Sequence, residues 1–139
     1  MASFEKDLQR IWLFGDLSQR QLKRLSRSFR ERTFKPGTRM LSEGKMSGVD
    51  FFVIIEGAAS VSVNGKEVEQ LGPGDHFGEL ATIDGGPRAA TVRAGTELRC
   101  LILTDAVFRE LVHDHPATAW KLLLHLAGVV RAQISRGLA

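Results

Sequence analysis

Cysteine is nearly absent from this chain of 139 residues. Its one copy, Cys100, excludes an internal disulfide and a cysteine-based zinc site, and its place within the apolar stretch Leu98 to Leu103 reads as an inert, buried thiol. Long hydrophobic runs are missing too. The longest purely apolar run, Phe51 to Ile55, stops at Glu56, far short of the roughly 20 residues that cross a bilayer, so no membrane segment is expected. The amino terminus, Met1 to Asp7, is charged within its first turn and lacks the apolar stretch of a secretory signal, which leaves a cytoplasmic address as the default. A large excess of one charge is lacking as well: 19 basic against 16 acidic residues give +3, too little to imply a nucleic-acid partner. No Ser or Cys nucleophile motif, repeat, linker or low-complexity stretch is found.

What is present describes one ordinary domain over 1–139, with 43% hydrophobic and 25% charged residues, enough to bury a core without staples. The charge is unevenly placed. Residues 1–50 carry 11 basic and 6 acidic groups, whereas 51–100 carry 4 and 7. Arg20, Lys23, Arg24 and Arg27 recur at helical spacing, with Arg30, Arg32, Lys35 and Arg39 beyond, either a solvated helix face or a docking surface for an acidic partner.

The hydrophobic pattern changes twice along the chain. From Phe4 to Phe29, Leu8, Ile11 and Trp12, then Leu22, Leu25 and Phe29, follow a helical period in two segments split at Gly15, with Ser18 as N-cap of the second. Short β-rich runs follow, punctuated by glycine every few residues. The expected strands are Arg32 to Phe34, Arg39 to Leu41, Asp50 to Glu56, Ala58 to Val63, Lys66 to Leu71, Ala89 to Ala94 and Leu98 to Leu103. Asn64-Gly65 is the strongest hairpin signal. After Thr104, an N-cap, Val107, Phe108, Leu111 and Val112 mark a helix interrupted at His113 to Pro116, and a longer one follows. In that last helix Trp120, Leu123, Ala127, Val130 and Ile134 form one apolar stripe, while Leu122, Leu126 and Val129 lie on other faces. A single packed face does not need that much, and the excess suggests a lid, a dimer contact or a junction. The fold class is α+β: an antiparallel β-roll over about 31–103, flanked by helices at about 4–29 and 104–136.

The chemistry concentrates in His76 to Val92. Gly78 delivers the chain into Glu79-Leu80-Ala81, good helix formers with an acidic first turn, and the free N–H groups of such a helix start bind anions. Ten residues beyond Gly78, Arg88 follows the turn Gly85-Gly86-Pro87, which can fold its guanidinium back over the same point. Glu79 makes little sense in an all-cationic phosphate pocket unless it accepts hydrogen bonds from a neighbouring hydroxyl. Phosphate beside hydroxyl indicates a nucleotide ribose.

Phe77-Gly78-Glu79-Leu80-Ala81 followed by Pro87-Arg88-Ala89-Ala90-Thr91 resembles the phosphate-binding cassette of cyclic nucleotide-binding domains, as in cAMP-dependent kinase regulatory subunits and the bacterial catabolite activator protein. The resemblance covers nearly the whole chain: Trp12-Leu13-Phe14 with Leu17 fits the leading helix, Glu43-Gly44 and Glu56-Gly57 fit turns of the roll, and the closing helices fit the lid. It implies a regulatory module rather than an enzyme, with no cofactor and with cAMP, or cGMP, as ligand. The implied ligand-binding residues are Gly78, Glu79, Leu80, Ala81, Arg88, Ala89 and Ala90. Glu79 accepts from the ribose 2′-OH, Arg88 pairs with the cyclic phosphate, and the N–H groups of Gly78, Leu80, Ala81 and Ala89 complete the cradle. Val61 and Val63 lie on the strand that supplies apolar contacts to the base. Two departures stand out. Thr82 replaces a usually aliphatic residue, and Asp84 places a second carboxylate near the cradle, where it weakens phosphate binding if it points inward. In cGMP-selective eukaryotic members the residue after the arginine is commonly Thr; here it is Ala89, which offers guanine no partner, a preference for cAMP of about 1 kcal/mol. The partners implied are the nucleotide and a homodimer or an effector, fused or associated, engaged through the C-terminal helix.

Three alternatives compete. Gly74-Asp75-His76-Phe77-Gly78-Glu79 faintly matches a cupin metal motif, but His76 has no second histidine nearby, and His113, His115 and His125 fall in the C-terminal helical region, from which three ligands are not expected to converge. A transcription factor needs a recognition helix, for which the sequence after the long helix, ending at Ala139, leaves no room, so direct nucleic-acid contact is not expected. A non-binding module of the same fold predicts loss of Glu79 or Arg88, and both are retained.

Overall fold

In the computed structural model, residues 4–46 and 48–137 are described, so Met1 to Ser3, Ser47 and the last two residues of the expected 1–139 unit lie outside the described residues. The strands among them are β1 (Arg30–Phe34), β2 (Arg39–Leu41), β3 (Phe51–Glu56), β4 (Ala59–Val63), β5 (Lys66–Leu71), β6 (His76–Phe77), β7 (Thr91–Ala94) and β8 (Leu98–Leu103). They form two antiparallel four-stranded sheets, ordered β1-β8-β3-β6 and β2-β7-β4-β5, the β-roll expected from the sequence.

The most apolar strands, β3 and β8, the latter interrupted only by Arg99, are central neighbours and bury side chains on both faces. Alternation divides their side chains between two cores. Phe52, Ile54, Leu98, Cys100 and Ile102 point between the sheets, where they meet Leu71, Phe77 and Val92. Phe51, Val53, Leu101 and Leu103 point outward to the helices, where they meet Leu8, Phe14, Phe29 and Phe108. The strands that alternate polar and apolar, β4 and β5, belong to the other sheet and leave one side partly open. Asn64 and Gly65, at φ +54° and +77°, close the β4–β5 hairpin with Val63 opposite Lys66.

The helices are α1 (Glu5–Gln9), α2 (Gln19–Ser26), α3 (Glu79–Asp84), α4 (Asp105–Asp114) and α5 (Pro116–Ser135), with a single 3-10 turn at Trp12–Phe14. Ser18 caps α2 through a reciprocal box with Gln21, and the Thr104 hydroxyl accepts from the Val107 N–H at the start of α4.

The structure corrects the sequence reading at three points and settles a fourth that the sequence leaves open. The first helical segment ends at Gln9, because Ile11 is extended and the chain re-enters helical geometry only for the 3-10 turn; Leu13 and Phe14 are thereby buried while Trp12 faces out. The strand expected from Ala89 starts at Thr91, since the Arg88 backbone bonds to Gly44 and Lys45 before the sheet begins. The strand β6 went unseen, two residues being too short to display a period. Which apolar face of α5 packs is the open point: the stripe of Trp120, Leu123, Val130 and Ile134 faces outward, and the packed side is Leu122 with Leu126. Lys121 fixes that rotation: its Nζ donates to the Trp12 carbonyl at 2.8 Å, lies 3.3 Å from Asp16 and sits over the Trp12 ring.

Cys100 is fully buried between the sheets, and burial pushes its thiol up to about 12. It should resist a thiol reagent such as dithionitrobenzoate in the native protein and react as one equivalent per chain in denaturant. Native labelling at the rate of a free thiol would contradict this packing.

Candidate functional site

The two residues of β6 pair with Phe52 and Val53 of β3, so the following loop starts from the β6 edge of that sheet. There Gly78 turns at φ +92° and acts as N-cap of α3 without a side-chain cap, which leaves the first N–H groups of that helix uncapped by any side chain. Glycine is needed for space as well as for φ: a Cβ here would lie 2.8 Å from the Asp50 carbonyl and 3.1 Å from Arg88 Nη1. One turn on, Thr82 is fully buried; its Oγ1 lies 2.6 Å from the Val49 carbonyl and 2.9 Å from that of Gly78, sharing one proton between them. The hydroxyl that departs from the family pattern thus fastens α3 to the loop before β3. Asp84 also turns away from the cradle, its Oδ1 accepting from the Gly86 N–H at 2.8 Å, so the second carboxylate is spent on its own turn.

Arg88 returns to the start of α3 as the turn Gly85-Gly86-Pro87 suggested. It is 3% exposed, and its guanidinium donates to the Gly78 carbonyl at 3.1 Å and the Asp50 carbonyl at 3.2 Å. Its Nε is buried and has no hydrogen-bond partner among the described residues. Burial lowers its pKa from the ordinary arginine value, against the opposing pull of Asp50 and Glu79; an arginine keeps its charge through such a shift.

Glu79 meets two side chains that sequence reasoning did not pair with it. His125 Nε2, from the middle of α5, stands 2.5 Å from Glu79 Oε1, and His76 Nδ1, from β6, stands 3.3 Å from the same oxygen. Burial pushes the carboxyl up, but the His125 hydrogen bond and the attraction of both imidazoles outweigh it and hold Glu79 down at about 2. The same hydrogen bond raises His125, against burial. The expectation that the histidines stay apart is therefore overturned: the His76 and His125 rings are 4.6 Å apart. No spacing rule links positions 76 and 125, because α5 reaches the cassette only through the tertiary fold.

All seven residues expected in the site, from Gly78 to Ala90, line one cavity of about 790 Å³. Val61 and Val63 both line its roll side, and α5 covers the opposite side with Leu124, Val129 and Ala132.

Residues 31–115 match the family model described as cyclic nucleotide-binding domain. The chain belongs to the cyclic nucleotide-binding domain family. A cAMP-dependent protein kinase regulatory subunit of Mycosarcoma maydis is 37% identical over 120 residues, 80% of this chain and 23% of that protein. A cyclic nucleotide-gated potassium channel of Mesorhizobium japonicum is 39% identical over 107 residues, 77% of this chain and 29% of the channel, so the chain spans less than a third of either relative. Among solved structures, cAMP-bound PfPKA-R superposes with a TM-score of 0.88 at 25% identity, covering 98% of this chain and 47% of that one. The catabolite activator protein of Thermus thermophilus gives 0.79 at 25% identity, covering 91% of this chain and 62% of that one.

The cradle geometry rests on Gly78. Gly78→Ala should lower stability by about 1 to 3 kcal/mol more than Gly85→Ala, which shares the positive φ but has no atom within 4 Å of the added Cβ. Denaturant titration of the two variants measures the difference, and equal losses would mean that the contacts of Gly78 with Asp50 and Arg88 are not tight.

Proposed function

We propose that the chain binds a cyclic nucleotide, cAMP in preference to cGMP, in the cavity between the roll and α5, and that the bound nucleotide signals by shifting α5. The observation that carries this reading is Arg88, a buried guanidinium at the cavity wall whose Nε lacks a partner, beside a helix start without a side-chain cap. A charge buried at such a position calls for an anion. Arg88 and the N–H groups of Gly78, Leu80, Ala81 and Ala89 hold the cyclic phosphate, with Ala90 completing the wall. Glu79 accepts from the ribose 2′-OH, a role that its anionic state favours. Val61 and Val63 offer the base an apolar face, and Ala89 presents no hydroxyl to guanine.

Glu79 is bonded to His125 of α5, so an incoming 2′-OH competes with the lid helix for one carboxylate. That competition is the link from ligand to helix. The outward stripe of Trp120, Leu123, Val130 and Ile134 is the surface through which a moved α5 engages a second copy or an effector. Residues 1–139 act as one regulatory unit in this reading, without a catalytic step, in the cytoplasm. The regulatory subunit and the channel among the relatives support such a role.

Saturating cAMP, at about 100 times its Kd, should raise the melting temperature by roughly 5 to 10 °C. Equimolar cGMP should raise it less, as should 2′-deoxy-cAMP, which lacks the hydroxyl assigned to Glu79. In a Trp12→Phe variant the emission of Trp120 should change along the same titration. Unchanged melting at millimolar cAMP, with the protein folded, would overturn the reading, and cAMP binding without any change in emission or hydrogen exchange of α5 would leave a static binding module.

A further inference from the structure

The cluster of His76, Glu79 and His125 is built from three separate elements, β6, α3 and α5, and two of its members are deeply buried. The His76 side chain is 8% exposed and that of Glu79 12%, while His125 keeps 30%. His76 packs against Phe51, with ring centroids 5.3 Å apart, and against the His125 ring, so its orientation is fixed. Its Nδ1 faces the cluster, 3.3 Å from Glu79 Oε1, and among the described residues no partner meets it in hydrogen-bond geometry. A nine-tenths buried imidazole nitrogen without a partner is costly unless something at that point takes its lone pair.

The donor set answers what that is. One ligand atom from each of His76, Glu79 and His125 lies within 4.8 Å of the others. Two imidazole nitrogens and one carboxylate suit a divalent ion of borderline softness, with one negative charge to offset two positive ones. Bond lengths of about 2.0 to 2.2 Å put tetrahedral ligands roughly 3.3 Å apart. The His76 to Glu79 separation already has that value at 3.3 Å, and the 2.5 Å His125 to Glu79 hydrogen bond must open by less than 1 Å. All three residues line the cavity, which leaves a fourth coordination position for water.

We propose that His76, Glu79 and His125 form a binding site for a zinc-like divalent cation, and that the bound ion clamps α5 to the cassette and so opposes nucleotide binding. On binding, the proton between His125 and Glu79 leaves to solvent and the metal takes its place. The antagonism rests on the proposed role of Glu79 toward the ribose; the metal site itself does not.

Zn²⁺ alone, titrated calorimetrically into the metal-stripped full chain, should bind at one equivalent, and Co²⁺ should develop the visible bands of a tetrahedral site. His125→Ala and His76→Ala should each weaken Zn²⁺ roughly tenfold or more. Because His76 is buried, its variant is first checked for folding by circular dichroism, and the half-exposed His125 carries the test if it fails. Saturating Zn²⁺ should raise the apparent Kd for cAMP severalfold in the native chain and leave it unchanged in His125→Ala. Zn²⁺ binding no tighter in the native chain than in His125→Ala would overturn the site. Histidine-dependent Zn²⁺ binding that leaves cAMP affinity untouched would overturn the antagonism. Metal-free protein that fails to bind cAMP would refute the nucleotide reading instead, with the Zn²⁺ titration still reading the metal site.

Discussion

A guanidinium taken out of water must find acceptors, and the arrangement of the cassette follows from how Arg88 finds them. Its two terminal nitrogens use the carbonyls of Gly78 and Asp50, and its own backbone bonds to Gly44 and Lys45. One residue therefore joins the start of α3, the entry to β3, the turn after β2 and the approach to β7. Charged hydrogen bonds of this kind contribute about 1.5 to 3 kcal/mol each, and leaving either carbonyl unpaired costs on the same scale. The glycine at 78 is the steric counterpart of that arrangement, because only a residue without Cβ lets the Asp50 carbonyl and Arg88 come so close.

Glu79 is the second point on which the site turns, and its significance lies in being over-subscribed. One oxygen already faces two imidazoles, a third claimant is the ribose hydroxyl proposed above, and a fourth is a metal ion. A carboxylate has two oxygens and accepts several donors, so both imidazoles share it, and the proposed metal draws on the two histidines together with Glu79. In the proposed reading the competition is between the ribose hydroxyl and His125 of α5, and through it the ligand bears on whether that helix is held at the cassette. Elsewhere α5 is held by Lys121 at Trp12 and Asp16 and by the buried Thr118 and Leu122, while five of its large apolar side chains are exposed.

Much of this was legible in the sequence where chemistry is local. The hairpin at Asn64-Gly65, the caps Ser18 and Thr104, the two central strands and the cassette from Gly78 to Ala90 are each specified by neighbouring residues, through φ, capping or alternation. The failures share the opposite property. The rotation of α5 is set by Lys121 reaching back to Trp12 and Asp16, more than a hundred residues earlier, so the apolar pattern of the helix alone did not choose which face packs. The histidine cluster joins positions 76, 79 and 125 across the fold.

The central claim is that Arg88 holds the phosphate of a cyclic nucleotide through its planar fork, and calorimetric titration of cAMP into the native chain and into folded Arg88→Lys tests it most directly. Lysine retains the charge and loses the fork. The account predicts a loss of roughly 10- to 150-fold in affinity, equivalent to about 1.5 to 3 kcal/mol, with a larger loss for Arg88→Ala. Arg88→Ala binding cAMP as tightly as the native chain would contradict it.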